Sequence, residues 1–341
     1  LTNTQMSPKK IAVLGAGSWG TAMAVMMARA GHHITLWGHT PSHIKQLQID
    51  NSNVEFLPGT DFPSTLSVTD QLEETVAKHD FLMLAVPSHA FRQTLLKCKP
   101  QLKKDTIVSW ITKGFETGTG LLAHEIVIET LGKDTKLALI SGPSFALEVA
   151  DNLPTAAVVA STDIEVATEV ADIIRNANFL TFPTKHLASA EIGGAMKNIL
   201  AIAAGISDGL GYGANARAAL ITLGLTEMVQ LGHVYNCSES SFLGLAGVGD
   251  LVLTCTDNKS RNRRLGLQLG QGKKIDDAKQ TIGQEVEGIH AAREVHAICE
   301  KWSLDMPICI QTYRILYEGL APDVAVRYLL SRAQLAEPQL D

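Results

Sequence analysis

From Lys10 to about Pro183, short apolar runs alternate with stretches in which apolar residues return every three or four positions. The runs are Ile11–Leu14, Ile34–Trp37, Phe81–Val86, Ile107–Ile111, Leu137–Ile140 and Ala156–Ala160. Between them lie helical patterns such as Thr21–Ala30, Ser88–Lys97 and Gly120–Leu131. Strand-then-helix alternation predicts a mostly parallel, doubly wound sheet with helices on both faces, because a parallel crossover needs a connection long enough to hold a helix. Past Lys185 only helical periodicity remains, over about 187–210, 214–232, 287–302, 306–319 and 322–333. An α/β domain over residues 1–185 and an all-α domain over residues 186–341 are therefore expected. No repeat of fixed period and no low-complexity segment interrupts them.

The length of 341 residues agrees with two domains at the usual ~100–200 residues each. Charge narrows the partners: 35 acidic against 29 basic side chains leave a net charge of −6, which argues against a nucleic-acid or other polyanion binder. Cys98, Cys237, Cys255, Cys299 and Cys309 are scattered, with no CxxC pair and no histidine at zinc-finger spacing. They read as reduced thiols of a cytoplasmic protein, and no metal is expected. Residues 1–10 lack the apolar core of a signal peptide. The most apolar helical stretch, Asn198–Ile206, is about half the ~20 residues that span a bilayer, so no transmembrane segment is expected.

Candidate chemistry begins at Gly15-Ala16-Gly17-Ser18-Trp19-Gly20, between the strand Ile11–Leu14 and the helix Thr21–Ala30. A lone GxGxxG says little, but strand before and helix after make it a dinucleotide-binding turn of the Rossmann type. Gly15 permits the tight turn, Gly17 lets backbone approach a pyrophosphate, and Gly20 lets the helix pack on the strand. The helix start then turns its N–H groups to the phosphates. After the second strand, where NAD-specific enzymes usually keep a carboxylate for the ribose, the sequence reads Trp37-Gly38-His39-Thr40. No acid stands there to repel a 2′-phosphate, so NADPH and NADH are both admitted. His39 is either a neighbour of that ribose or a plain surface histidine.

Ligands of open α/β sheets bind beyond the carboxyl ends of the strands, which brings forward Val86-Pro87-Ser88-His89, Thr112-Lys113-Gly114 and Ser141-Gly142-Pro143-Ser144. Lys113 is placed to overhang that crevice, a solvated strand-end lysine being the other reading. In the helical part, Lys197 and Asn198 interrupt a helix of small and apolar side chains. Gly193 and Gly194 beside them would each cost about 1 kcal/mol in a helix interior, so something must approach that backbone closely. Burial disfavours an ammonium, and a lysine tuned from about 10.4 toward ~7–8 is a competent general acid and base. Farther on, Gly247-Val248-Gly249 would let Asp250 project from a tight turn. Ser260, Arg261 and Asn262 have the composition of an anion site at a helix start, a guanidinium fork beside N–H groups. A solvated basic face is the alternative.

These segments, with Ser141-Gly142-Pro143-Ser144-Phe145-Ala146, Gly194-Ala195-Met196-Lys197-Asn198, Gly249-Asp250-Leu251-Val252-Leu253-Thr254-Cys255 and Ser260-Arg261-Asn262-Arg263, resemble the bacterial NAD(P)-dependent sn-glycerol-3-phosphate dehydrogenases from Lys10 to about Gly319. The resemblance implies reversible reduction of dihydroxyacetone phosphate to sn-glycerol 3-phosphate, the entry to glycerophospholipid synthesis. It implies cofactor contacts at Ser18, Trp19, His39, Lys113, Ala146 and Arg261, with Glu285 and Glu287 at the adenosine end. It implies a substrate and catalytic set of Lys113, Gly142, Ser144, Lys197, Asn198, Asp250, Ser260, Arg261 and Asn262. Trp19 stands where the family often has Tyr or Phe, and Ser144 where it commonly has Thr.

The mechanism expected from the residues themselves is the same. Lys197 gives a proton to the alkoxide formed by hydride transfer, Lys113 and Asn198 orient the oxygen, and Asp250 holds Lys197 or a substrate hydroxyl. Arg261, Asn262 and Ser260 anchor a phosphate remote from the reacting carbon. Two other readings stand beside it: a β-hydroxyacid or 6-phosphogluconate type of reductase, and a non-enzymatic dinucleotide sensor. The Gly249-Asp250 and Ser260–Arg264 segments speak against the former, and Lys197 in an apolar helix against the latter. A homodimer is expected.

Overall fold

The computed structural model describes residues 7–335. The chain divides into two compact units, residues 1–116 with 121–191, and residues 117–120 with 192–341.

The first unit carries strands β1 (Lys10–Leu14), β2 (His33–Trp37), β3 (Ser52–Asn53), β4 (Leu57–Asp61), β5 (Leu66–Thr69), β6 (Phe81–Leu84), β7 (Ile107–Trp110), β8 (Leu137–Ser141), β9 (Thr155–Ala160) and β10 (Phe179–Thr184). Among the described residues, eight of them form one sheet in the order β10-β9-β8-β7-β6-β1-β2-β5, and β3 pairs with β4 apart from it. Ile11 to Leu14 are wholly buried. Successive side chains point to opposite faces, so both faces of β1 are covered, as a parallel sheet under helices requires. Ile11 and Val13 join Met23 and Met27 of the Ser18–Arg29 helix, Ile34, Leu36 and Met83 in one apolar core.

The sheet is mostly parallel, as expected, and turns antiparallel between β8 and β9. β9 runs antiparallel to β8, with Ser141 opposite Val158, and β10 runs parallel to β9. The stretch between β8 and β9 holds only the five-residue helix Ala146–Ala150, and an antiparallel neighbour needs no return along the whole sheet. β10 is an edge strand with Leu180 and Phe182 half exposed, and an edge tolerates Pro183 because one side has no ladder to complete.

The Leu187–Gly209 helix continues into the second unit from Ile192 and is followed there by Gly213–Val234, Asp250–Thr256, Arg261–Gly270, Ile275–Ile282, Glu287–Trp302, Pro307–Tyr317 and Pro322–Leu335. Ile192, Ala195, Met196, Ile199, Leu200, Ala201 and Ile202 of the first of these are wholly buried, so it is wrapped on all sides and shows no polar face. Among the described residues no helix is long and apolar enough to cross a membrane.

Candidate active site

The chain order of the sheet reverses at β1, which has β2 on one side and β6 on the other. Dinucleotides bind at such a switch point, and the turn Gly15–Gly20 leaves β1 there. Gly15 has φ +132°, a conformation that L side chains rarely adopt, and a Cβ on it would stand 2.6 Å from the Ala85 carbonyl oxygen. A Cβ on Gly20 would collide with the Gly15 carbonyl and lie 2.8 Å from the Ala85 Cβ. Gly17 differs: its φ is −79° and a Cβ there would meet nothing within 4 Å. Packing asks nothing of Gly17, which leaves backbone access as the physical reason for a glycine. Asn53 braces the turn from below, its amide donating to the Ala16 carbonyl at 3.0 Å and to Thr21 Oγ1 at 2.8 Å. Ser18 begins the helix and donates to the Phe56 carbonyl, while the indole N–H of Trp19 is buried without a hydrogen-bond partner in the protein. An open backbone cradle at a helix start and an unsatisfied indole donor suit a dinucleotide.

The other strand-end residues of this unit lie where the sequence placed them. His39 follows β2, is exposed, and is 3.2 Å from Thr40 Oγ1. Lys113 is half-buried three residues beyond β7, before Gly114 at φ +116°, and Thr112 Oγ1 donates to the Val86 carbonyl at 2.7 Å. Gly142 follows β8 at φ +149°, Ser144 Oγ donates back to its carbonyl at 3.0 Å, and Ala146 opens the short helix.

In the second unit, Lys197 is paired. Its ammonium donates to the Asp250 carboxylate, and both side chains are buried, Asp250 at 0% exposure and Lys197 at 7%. Pairing with Asp250 is what lets the lysine sit in that helix; a lone buried ammonium would be far costlier. The approach foreseen at Gly193 is real: a Cβ there would run into the Ala246 carbonyl. Asp250 does not project from a tight turn. Leu245–Gly249 forms one π-helical turn leading directly into the Asp250–Thr256 helix, and Gly249 has ordinary helical dihedrals. Gly247 is required for contact, since a Cβ on it would strike the Phe242 carbonyl. The neighbouring Cys255 thiol is pushed up to about 12 by burial, with Lys197 and Arg263 opposing, so it is no nucleophile at neutral pH.

Asn198, next to Lys197, donates to Glu287 at 3.2 Å and accepts from the Asn262 amide at 2.9 Å, while Asn262 Oδ1 accepts the Gly288 N–H at 2.9 Å. These bonds join Glu287 to the residues around the lysine, a link that sequence reasoning did not find. Glu285 is exposed and pairs with His290 at 3.1 Å. Ser260 is the N-cap of the Arg261–Gly270 helix, its Oγ accepting from the Arg263 N–H at 3.2 Å. Arg261 and Asn262 thus occupy the first turn, where a helix leaves N–H groups without intrahelical acceptors. Arg261 Nη1 reaches Gln284 Oε1 at 3.3 Å. Arg263 is buried and bonded on every side, so the basic run at 261–264 is not one uniform charged face.

Dinucleotide-dependent oxidoreductases combine such parts, a glycine-rich βα turn at a switch point and a helical unit with a buried lysine–carboxylate pair, and this chain is of that class. The profile of the NAD-dependent glycerol-3-phosphate dehydrogenase N-terminus matches residues 10–167, and that of the C-terminus matches residues 186–327. The chain belongs to the NAD-dependent glycerol-3-phosphate dehydrogenase family. It is 50% identical over 323 residues to a glycerol-3-phosphate dehydrogenase [NAD(P)+] of Methylococcus capsulatus, covering 94% of this chain and 96% of that protein. An Aeromonas hydrophila protein of the same name is 48% identical, with 94% and 97% covered. The crystal structure of glycerol-3-phosphate dehydrogenase from Coxiella burnetii superimposes with a TM-score of 0.92 at 44% identity, covering 95% of this chain and 99% of that one.

Proposed function

We propose that the protein interconverts dihydroxyacetone phosphate and sn-glycerol 3-phosphate with NADPH or NADH, Lys197 serving as the general acid and base. The buried Lys197–Asp250 pair carries this reading. When bound, the nicotinamide supplies the hydride to the substrate C2, or takes it up in oxidation. Lys197 gives a proton to the oxygen on which negative charge develops and recovers one from solvent; in the reverse direction it removes the hydroxyl proton. Asp250 keeps the ammonium tolerable in a dry site and aims it. Asn198 is held by Glu287 and Asn262, so its amide orients the groups about Lys197. Lys113 polarises the same oxygen. Ser260, Arg261 and Asn262 hold the phosphate, where binding energy can be used for positioning. Gly15, Gly17, Ser18, Trp19, Gly20, His39 and Ala146 serve the cofactor, with Glu285 toward its adenosine end and Glu287 held instead at Asn198 beside Lys197, and Gly142 and Ser144 serve the substrate.

Steady-state oxidation of NADPH by the purified protein should depend on dihydroxyacetone phosphate and should cease when a 3-carbon oxoacid replaces it. Turnover of the oxoacid instead would put the protein among the other reductases, and no turnover of either would leave a sensor. In this reading the product feeds glycerophospholipid synthesis in the cytoplasm. The enzyme works as a homodimer, the commonest closed symmetry of soluble oligomers, and a sedimentation mass of one chain would exclude that state.

The ribose site gives a second expected result. His39 follows β2, where no carboxylate stands. Both cofactors should turn over, and His39→Asp should raise KM for NADPH more than for NADH, because the new anion meets a 2′-phosphate in the former alone. Equal increases would remove His39 from the ribose site.

A further inference from the structure

The Leu187–Gly209 helix, which carries Lys197, also carries Asp208 in its last turn. Asp208 is nearly buried and accepts from two arginines, Arg217 at 2.8 Å and Arg263. The Arg263 guanidinium reaches three places at once. Nη2 donates to Asp208, Nε to the Cys255 carbonyl at 3.0 Å, and Nη1 to the Asn258 side chain. Those partners lie on the lysine helix, on the Asp250–Thr256 helix, and in the turn that precedes Ser260. A single planar fork therefore joins the element of the acid–base group, the element of its carboxylate partner and the loop leading into the Arg261–Gly270 helix.

The two longer helices are also set backbone against backbone. A Cβ on Gly205 would stand 2.8 Å from the Leu267 nitrogen, one on Gly266 2.9 Å from the Ile206 nitrogen, and one on Gly209 2.9 Å from the Gly270 Cα. Such contact is open to glycine alone, and it leaves no slack for the helices to slide. Close contact fixes their separation, and the Arg263 fork fixes their register.

We propose that Arg263, held by Asp208, is a positioning residue that sets the Ser260–Asn262 helix start relative to Lys197 and Asp250, and so governs how the phosphate of the substrate is presented to the acid–base group. The proposal rests on the reading of Arg261 as phosphate anchor. It gives the two neighbouring arginines of the basic run different roles, since Arg261 meets the ligand and Arg263 makes the ligand site rigid. A lysine in place of Arg263 would keep the charge beside Asp208 but could not span the three acceptors, because an ammonium donates from one point.

Arg263→Lys should raise KM for dihydroxyacetone phosphate roughly 10- to 100-fold with a much smaller change in kcat, the size expected when a contact is displaced by about 1 Å. Asn258→Ala removes only the exposed loop tie, leaves folding intact, and should raise the same KM about 3- to 10-fold. In an Arg261→Ala background both substitutions should become nearly silent, since they act through that residue. A residue that only stabilises the fold would lower the active fraction, and with it apparent kcat, and leave KM unchanged in both backgrounds. The proposal is overturned if Asn258→Ala and Arg263→Lys leave KM unchanged while Arg261→Ala raises it, or if their losses persist in full without Arg261. Should Arg263→Lys fail to fold, Asn258→Ala with its double variant decides. If Arg261→Ala itself does not distinguish phosphorylated from unphosphorylated substrate, the anchor reading fails first, and the two failures are told apart.

Discussion

Lys197→Ala is expected to lower kcat by about 10²–10⁴, the usual worth of a general acid. The structure adds a complication that the sequence did not show. Removing the ammonium leaves the wholly buried Asp250 carboxylate without its partner, and breaking a buried pair from one side typically costs about 3–5 kcal/mol. Lower stability could therefore mimic lost catalysis. The double variant Lys197→Ala with Asp250→Asn resolves this, because a neutral amide has no charge to strand. It should recover most of the thermal stability lost by the single variant, read by circular dichroism, while kcat stays low. If activity returns with stability, Lys197 is structural. If the single variant loses less than tenfold in kcat, Lys113 becomes the better general acid.

Arg261→Ala is expected to reduce kcat/KM for dihydroxyacetone phosphate by roughly 30- to 5,000-fold, since losing one partner of a desolvated charge pair costs about 2–5 kcal/mol. Arg261 stands in the first turn behind the Ser260 cap, so a planar fork and helix N–H groups can meet the same phosphate. Unphosphorylated dihydroxyacetone is the control. It offers no anion to hold, should be a poor substrate of the native enzyme, and should be turned over almost equally well by the variant. Equal damage to both substrates would assign Arg261 to the cofactor or to the fold instead.

Much of the first unit was legible because its signals are local. β1 is a run of buried residues closed by Gly15, whose positive φ no other residue adopts without strain, and the helix begins three residues on. Such a unit reads the same from sequence and structure. The segments that escaped are those whose own pattern is weak. β5 has four residues, three of them Ser, Val and Thr, at the edge of the sheet, and the Leu72–Lys78 helix buries only Thr75 and Val76. They hold their form by pairing and packing against stronger neighbours, and short weak segments carry little period of their own. The antiparallel turn of β9 was likewise hidden, since strand direction is a property of a pair.

The same division runs through the site. Composition and spacing alone determined that the protein has a dinucleotide turn, a lysine in an apolar helix, and an arginine with Ser260 and Asn262 at a helix start, because each depends on a few consecutive residues and on conformations available to glycine and small polar side chains. Tertiary structure decided the partners. Asp250, 53 residues from Lys197, was expected to hold either that lysine or a substrate hydroxyl, and the fold sets it on the lysine; Asp208, 55 residues from Arg263, had no such expectation and holds the buried guanidinium. Only the folded chain shows that the glycines at 205, 209, 266 and 270 face one another. Helical and strand periods report which side of an element is buried, whereas a charge is neutralised by whatever packing brings to within hydrogen-bond distance, and that is settled by the whole fold.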